Sequence, residues 1–482
     1  MRAKSPFFSG FHKLFGGRKP ASLIEKLLGL RREVDVLCGT QLTALFGVFL
    51  PAELLTRKNA AGVGSRERIF SRAVTFRAFL GQVLDPGSPC RKAVARVQTL
   101  FALKGLNRPA EDTGAYCEAR LRLPVRWLMD MVEHISTRLT QGHGGEGRLL
   151  VVDGTTVALP DTLALQARYP QPKAQKPGCG FPLMKLLGLF DLRSGAWLAT
   201  THSWRRFHDA RLWRRLFWRR LFWRLKQGDT VIADRAFCTW FDLARLMARG
   251  VQVVVRQHQM RHTDFRRGRR LGRHDHLLLW SRPQRPGWMS RREYASMPRE
   301  ITVRVVRHQL MEKAHRTREL ILVTTLLDAT AHPKAQLAAL YARRWRVELC
   351  FDDLKTTMHM EMLRTKSPAM VCRELLMHMI AYNLLRAVMA RAEAPPERAS
   401  FKGTVDRLHA WSWAIWLAPT RKQAAAMIKD LLQSIAADLV PERPGRREPR
   451  AVKRRPKPHA ILNAPRHSYV EIPHRSRYRK AA

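Results

Sequence analysis

Hydrophobic spacing changes character several times along the chain. Up to about residue 145, apolar positions recur every three to four residues, the helical period. Ser22 and Glu25 in "SLIEKLLGL" form a capping box at the head of an amphipathic helix. "RKAVARVQTLFALKG" and "PVRWLMDMVEHISTRLTQ" keep that period, and Gly142, Gly144 and Gly145 mark its end. Short apolar runs follow. "RLLVVDGTTVAL" (148–159) predicts a buried strand, an Asp-Gly turn and a second strand. "LMKLLGLFDLRSGAWLATTHSW" (183–204) predicts a hairpin turned at Arg193-Ser194-Gly195. A basic, aromatic helix at about 209–226 precedes the strand "DTVIADRAF" (229–237), the helix "TWFDLARLMARG" (239–250) and the strand "VQVVVRQ" (251–257). A strand meander leading into alternating helix and strand predicts an α/β domain with a mixed sheet.

Residues about 258–330 break this alternation. The basic stretch "RHTDFRRGRRLGRHDH" (261–276) and the strand-like "ITVRVVRHQ" and "RELILVTTLL" read as a β-rich insertion. Helical spacing returns near Lys334, runs through "YARRWRVELCFDDLK" (341–355) and continues in "RELLMHMIAYNLLRAVMARA" (373–392). The predicted organisation is therefore a helical N-terminal domain at 1–145 and an α/β domain at 146–370 carrying the insertion. A helical C-terminal region at 371–440 and a basic, disordered tail at 441–482 complete it. The tail holds 13 Lys+Arg against 3 Asp+Glu and too few apolar residues to bury a core. Inside the 209–226 helix "RRLFW" occurs at 214–218 and again at 219–223. Five residues advance a helix by about 500°, so the copies face directions about 140° apart. Two readings stand: aromatic residues on several sides of one helix, or a short tandem duplication that impairs the protein.

Charge adds a partner to this picture. The chain has 482 residues, enough for two or three cores, with 87 Lys+Arg against 39 Asp+Glu and a net charge of +48. Such an excess repels itself unless a polyanion neutralises it, and nucleic acid is the first candidate. No apolar run approaches the ~20 residues that cross a bilayer; the best, "LTALFGVFLPAELL" (42–55), is interrupted by Pro51. No secretory signal is read at the N-terminus. The seven cysteines are scattered and lack a C-x-x-C pair, so neither a zinc site nor a disulfide framework is expected, which fits a reducing cytosol.

The charged helix at 341–355 is the most specific feature. At about 100° per residue, with Tyr341 at 0°, Arg344 falls near 300°, Glu348 near 340° and Lys355 near 320°. Val347, Cys350, Phe351 and Leu354 fall between about 180° and 280°, a buried back. One carboxylate thus sits among cations and a phenol. Asp352, at about 20°, also lies near the stripe, either as the functional acid in place of Glu348 or as a partner of Lys355. Asp153 and Asp234 each stand where an apolar strand ends, a rigid place from which to hold hard cations. Asp161, Asp191 and Asp229 read as turn residues. Carboxylates that bridge two Mg²⁺ activate a water or a 3′-hydroxyl without a general-base histidine. Tyr341, Arg344 and Lys355 would then hold the DNA backbone, arginine by bidentate contact and lysine as a compact charge.

The spacing Tyr341-x2-Arg344-x3-Glu348-x6-Lys355 resembles the Y-R-E-K signature of DDE transposases of the insertion-sequence-four family of bacterial mobile elements. "VVDGTTVALPDT" and "VIADRAF" resemble that family's two aspartate motifs, and "DTGAYCEARLRLP", "PGWMSRREYASMP" and "RAVKRRPKP" also resemble its members. The likeness covers about residues 85–460. It implies a ribonuclease-H-like core with Asp153, Asp234 and Glu348 as catalytic and metal-binding residues. It implies Mg²⁺, two ions with Mn²⁺ as a substitute, and cleavage at terminal inverted repeats followed by strand transfer into target DNA. A homodimer on double-stranded DNA, action at the bacterial nucleoid in the cytoplasm, and repeat recognition by residues 1–145 belong to the same expectation. So does a tryptophan of the insertion, Trp280 or Trp288, stacking on a flipped base, and Arg235 as a phosphate contact. The competing readings are a catalytically inactive or domesticated DNA-binding protein derived from a transposase, and a nuclease of the same fold.

Overall fold

In the computed structural model the described residues are 44–56, 69–85, 87–103, 105, 108–141, 147–172, 175–202, 222–309, 319–395, 397–441, 464–465 and 468–469. The capping box at Ser22, both RRLFW copies except Phe222 and Trp223 of the second, and nearly all of the tail beyond 441 lie outside them. Nine strands form one sheet: β1 (Leu149–Ala158), β2 (Leu183–Asp191), β3 (Trp197–His202), β4 (Thr230–Ala233), β5 (Gln252–Arg256), β6 (Arg269–Gly272), β7 (Asp275–Ser281), β8 (Glu300–Gln309) and β9 (Glu319–Thr324). Their order is β3-β2-β1-β4-β5-β9-β8-β7-β6. β1-β4 and β4-β5 pair in parallel and the remaining pairs are antiparallel. The first five strands, antiparallel 3-2-1 then parallel 1-4-5, have the ribonuclease-H-like order.

One detail of the expected strands changes. "RLLVVDGTTVAL" is a single strand rather than two joined by a turn, because β2 pairs with β1 continuously from Leu150 to Ala158. Asp153 therefore lies within β1, at the point where the shorter β4 stops pairing with it. The expected β-rich insertion is present and extends the core sheet. β9 pairs with β5 and draws β8, β7 and β6 into the core sheet. The hairpin at 193–195 forms as expected: Gly195 adopts φ +71°, and Asp191 accepts from the Ser194 amide at 2.8 Å. Of the expected 209–226 helix, the described part is a 3₁₀ turn at Phe222–Arg224.

Helices cover the sheet. Four at the N-terminal side are Arg72–Leu84, Cys90–Leu103, Gly114–Arg122 and Val125–Thr140. Ser71 caps the first by accepting from Val74 N at 3.2 Å. The 24-residue helix Pro368–Arg391 is apolar on nearly every side and buried, as a helix enclosed by other layers must be. It is tied to the hairpin by polar contacts. Asn383 accepts from Trp197 N at 2.8 Å and donates to Trp197 O at 2.9 Å, giving the edge of β3 the bonds that another strand would supply. No helix among the described residues is long and apolar enough to cross a membrane.

The register of β1 against β4 is held at its entrance by an ion pair. Arg148 donates from Nε to Asp229 Oδ1 at 2.9 Å and from Nη2 to Oδ2 at 2.6 Å. The Asp229 carboxylate also accepts from Lys226 N at 2.7 Å. Removing one partner of a buried pair strands the other, at a cost of about 3–5 kcal/mol. Asp229→Ala should lose an amount of that order in urea unfolding. A double-mutant cycle with Arg148→Ala should give a coupling above about 1 kcal/mol; a coupling near zero would leave the register to the apolar side chains alone.

Candidate active site

Parallel strands in register present equivalent positions side by side, about 4.8 Å apart and on the same face. Val152 pairs with Ala233, and Ala233 with Val255. The next residues along β1, β4 and β5 are therefore a row of three: Asp153, Asp234 and Arg256. This is the carboxyl end of the parallel strands, where open α/β sheets bind their ligands. Asp234 directly follows β4 and caps the 3₁₀ turn Arg235–Phe237, accepting from Ala236 N at 2.8 Å. Asp153 accepts from Gly154 N at 2.7 Å.

Glu348 reaches this row from the helix that follows Tyr341. That segment is not one α-helix. It runs as α-helix Lys334–Ala342, a 3₁₀ turn Arg343–Trp345, α-helix Arg346–Asp352 and a π turn Asp353–Thr357. The even 100° step therefore fails beyond Ala342, and the stripe holds only in part. Arg344 joins the acids: Nη1 lies 2.7 Å from Asp153 Oδ2 and Nη2 3.3 Å from Glu348 Oε1. Tyr341 is half-buried beside Arg344 and Asp234, and burial pushes its phenol up while Arg344 and Arg256 oppose the shift. Lys355 makes no ion pair with the three acids among the described residues. It sits in the π turn, whose Asp353 is bound to Arg386 at 2.7 Å. Burial pushes the Asp353 carboxyl up to about 6, with Arg386 pulling the other way. Asp352 is exposed and accepts from Thr356 Oγ1 at 2.7 Å, outside the group. Arg235 donates to Gln259 at 3.1 Å beside Asp234.

Electrostatics mark the three acids as neighbours. Burial raises the Asp153 pKa above its ordinary value; the Gly154 amide and Arg344 lower it, and Asp234 and Glu348 raise it. Arg256 carries the opposite strain. Burial lowers its pKa, with Arg235 and Arg344 adding repulsion and Tyr341 opposing them. Its side chain has no hydrogen-bond or ion-pair partner among the described residues. Sequence reasoning missed Arg256, although the signal was present: "VQVVVR" ends one helix after "TVIAD" with a charged residue in the same place. The two tryptophans of the insertion also separate. Trp280 is buried with the Arg261 guanidinium 3.7 Å from its ring centre, whereas half-buried Trp288 lines a cavity of about 740 Å³ beside Phe222 and Arg245.

As they stand, no three His, Cys, Asp or Glu side chains among the described residues are close enough to hold one metal ion. Arg344 instead bridges Asp153 and Glu348. The donor set still fits a hard divalent ion: three carboxylates, no thiol and no imidazole.

A family model described as the transposase DDE domain matches residues 144–384, half of the chain. Among curated proteins, Transposase InsG for insertion sequence element IS4 of Escherichia coli (strain K12) is 27% identical over 449 residues, 86% of this chain and 92% of that protein. Among solved structures, a piggyBac transposase synaptic complex with hairpin DNA aligns with TM-score 0.40 and 13% identity, covering 85% of this chain and 86% of that one.

If Arg344 neutralises the acids in the absence of metal, Arg344→Ala should unfold at lower temperature than wild type in metal-free buffer. It should also gain more from saturating Mg²⁺, by several degrees. Equal gains in the two proteins would show that Arg344 and the metal do not compete for the same carboxylates.

Proposed function

The chain belongs to the DDE transposases, and from that premise we propose that it cuts and joins DNA with Asp153, Asp234 and Glu348. In this reading it binds the terminal inverted repeats of an insertion sequence, cleaves at the element's ends and transfers the strands into target DNA. It works as a homodimer across two ends, at the nucleoid in the cytoplasm. The observation that carries the proposal is the strand register, which sets Asp153 beside Asp234 at the ligand-binding end of the sheet, with Glu348 brought to them through Arg344.

Two Mg²⁺ ions held by these carboxylates, or Mn²⁺ in their place, would supply Lewis acidity that activates the attacking water or 3′-hydroxyl and stabilises the leaving oxygen. The chain's own residues then position the substrate. Arg344, once released from Asp153, turns its fork to phosphate oxygens. Arg256, whose guanidinium has no hydrogen-bond or ion-pair partner among the described residues, stands at the end of the row, and DNA phosphate relieves its crowding by Arg235 and Arg344. Tyr341 and Arg235 border the same place, and Lys355 contributes from the following turn. Trp288, with an open cavity at its side, is the tryptophan we assign to stack on a displaced base.

The deciding experiment incubates purified protein and Mg²⁺ with a plasmid carrying the gene in its native flanking DNA. Wild type should excise the element, and Asp153→Asn should bind the ends but cut at least ~10³-fold more slowly, as expected when a metal-holding group is lost. Cutting by Asp153→Asn at the wild-type rate would remove the proposed triad. A version lacking one RRLFW copy runs beside them. If it alone cuts, the duplication has disabled this chain; if none cuts while all bind, the protein is a DNA-binding derivative. Products that are cleaved but never joined would identify a nuclease.

A further inference from the structure

The basic stretch at 261–276 has no role in the site described above, yet the sheet ties it to that site. Five strand steps separate β4, directly followed by Asp234, from β6 at the far edge. At about 4.8 Å per step the two lie about 24 Å apart. Along B-DNA, with about 3.4 Å per base pair, that is about seven base pairs.

Cations mark the path. Beyond Arg256 lies a cavity of about 330 Å³ whose lining includes Arg235, Arg261 and Arg307, with Glu319 as its one acid. Past it, Arg266, Arg267, Arg269, Arg270 and Arg273 are all exposed around β6. Acidic compensation there is small. Asp264 pairs with Arg266 at 3.1 Å and with Arg267 at 3.7 Å. The other nearby carboxylate, Asp275, is buried and held by Arg304 through bonds of 2.8 and 2.6 Å. Arg269, Arg270 and Arg273 have no ion-pair partner among the described residues. Lys334 adds to the excess, donating to Arg273 O at 3.1 Å.

From this path we infer that the insertion is a backbone clamp: the arginines of the β6 hairpin grip DNA phosphates about seven base pairs from the phosphate that is cut. The inference rests on the DNA-cleaving reading and adds to it a second contact at a fixed distance. The buried Arg304–Asp275 pair, which also donates from Arg304 to Asp328 O and His332 O, holds β7 and β8 together and so fixes the hairpin's position. The plainer account is that charge on an edge strand keeps it from pairing with another chain. That account needs only one or two charges and no cationic cavity leading to the carboxylates.

A linear duplex carrying one end of the element with its native flank separates the two accounts. Hydroxyl-radical footprints would be taken with wild type and with the triple variant Arg269→Ala/Arg270→Ala/Arg273→Ala, both without Mg²⁺ so that the duplex stays whole. Wild type should protect a patch about seven base pairs from the cut position, and the triple variant should lose that patch alone. The slope of log K against log salt should fall by about 2–3 for three lost phosphate contacts. The corresponding triple lysine variant should keep both patch and slope. An unchanged footprint with an unchanged slope overturns the clamp, including where the alanine variant merely aggregates more readily. Absence of any protection by wild type overturns it too. Failure of the triad itself shows separately, as cutting by Asp153→Asn once Mg²⁺ is added.

Discussion

The site depends on one register, that of β1 against β4. Side chains alternate between faces along a strand, so a slip of one residue would turn Asp153 away from Asp234 and into the opposite layer. The Arg148–Asp229 pair stands at the entrance to the two strands, one residue before the first rung Leu149–Thr230, and the carboxylates stand one residue past the last rung. Four rungs, three of them apolar on both strands, separate a salt bridge from an acid pair. Leu150, Val151, Ile232 and Ala233 are buried between them, which makes other registers costly. The acids themselves could not set this arrangement, since carboxylates placed side by side repel.

That repulsion explains the position of Arg344. Its guanidinium reaches both Asp153 and Glu348, and it does so from a 3₁₀ turn between two α-helical segments. Overwinding at Arg343–Trp345 and underwinding at Asp353–Thr357 change the angular step on either side of Glu348. A regular helix would align four residues along one stripe. The broken one turns Arg344 and Glu348 inward together and leaves Lys355 with no ion pair to the acids. The Asp353–Arg386 bond lies under the π turn and ties its geometry to the long buried helix behind the sheet.

Much of this was legible in the residues because burial writes directly into composition. Val-rich runs became strands, the glycine at 195 became a turn, and Asp234 lies directly past the end of β4. The misreadings share a cause: each depended on a neighbour that local sequence does not name. The Asp-Gly pair, a strong turn signal, predicts a strand ending at Asp153. Continuous pairing with β2 overrides that signal and carries the strand on to Ala158. The insertion was legible as β-rich, but that β9 would join β5 is a non-local fact. Arg256 is hidden from local sequence for the same reason. Its importance comes from a row across three strands, and no single strand contains that row.

One continuous sheet also changes what the insertion can do. A domain hung on loops would move independently of the carboxylates, and a contact made there would say little about where DNA enters the site. Strands joined edge to edge by backbone hydrogen bonds, with Val254 paired to Thr324 and Val306 to Leu322, cannot shift relative to β4 without breaking the ladder. The cations of β6 therefore lie at a fixed distance from Asp234, and under the inferred clamp, binding energy gained at the far edge would position DNA at the acids. For a phosphoryl-transfer site in which placement supplies much of the rate, extending the core sheet is a direct physical way to couple a distant grip to the chemistry.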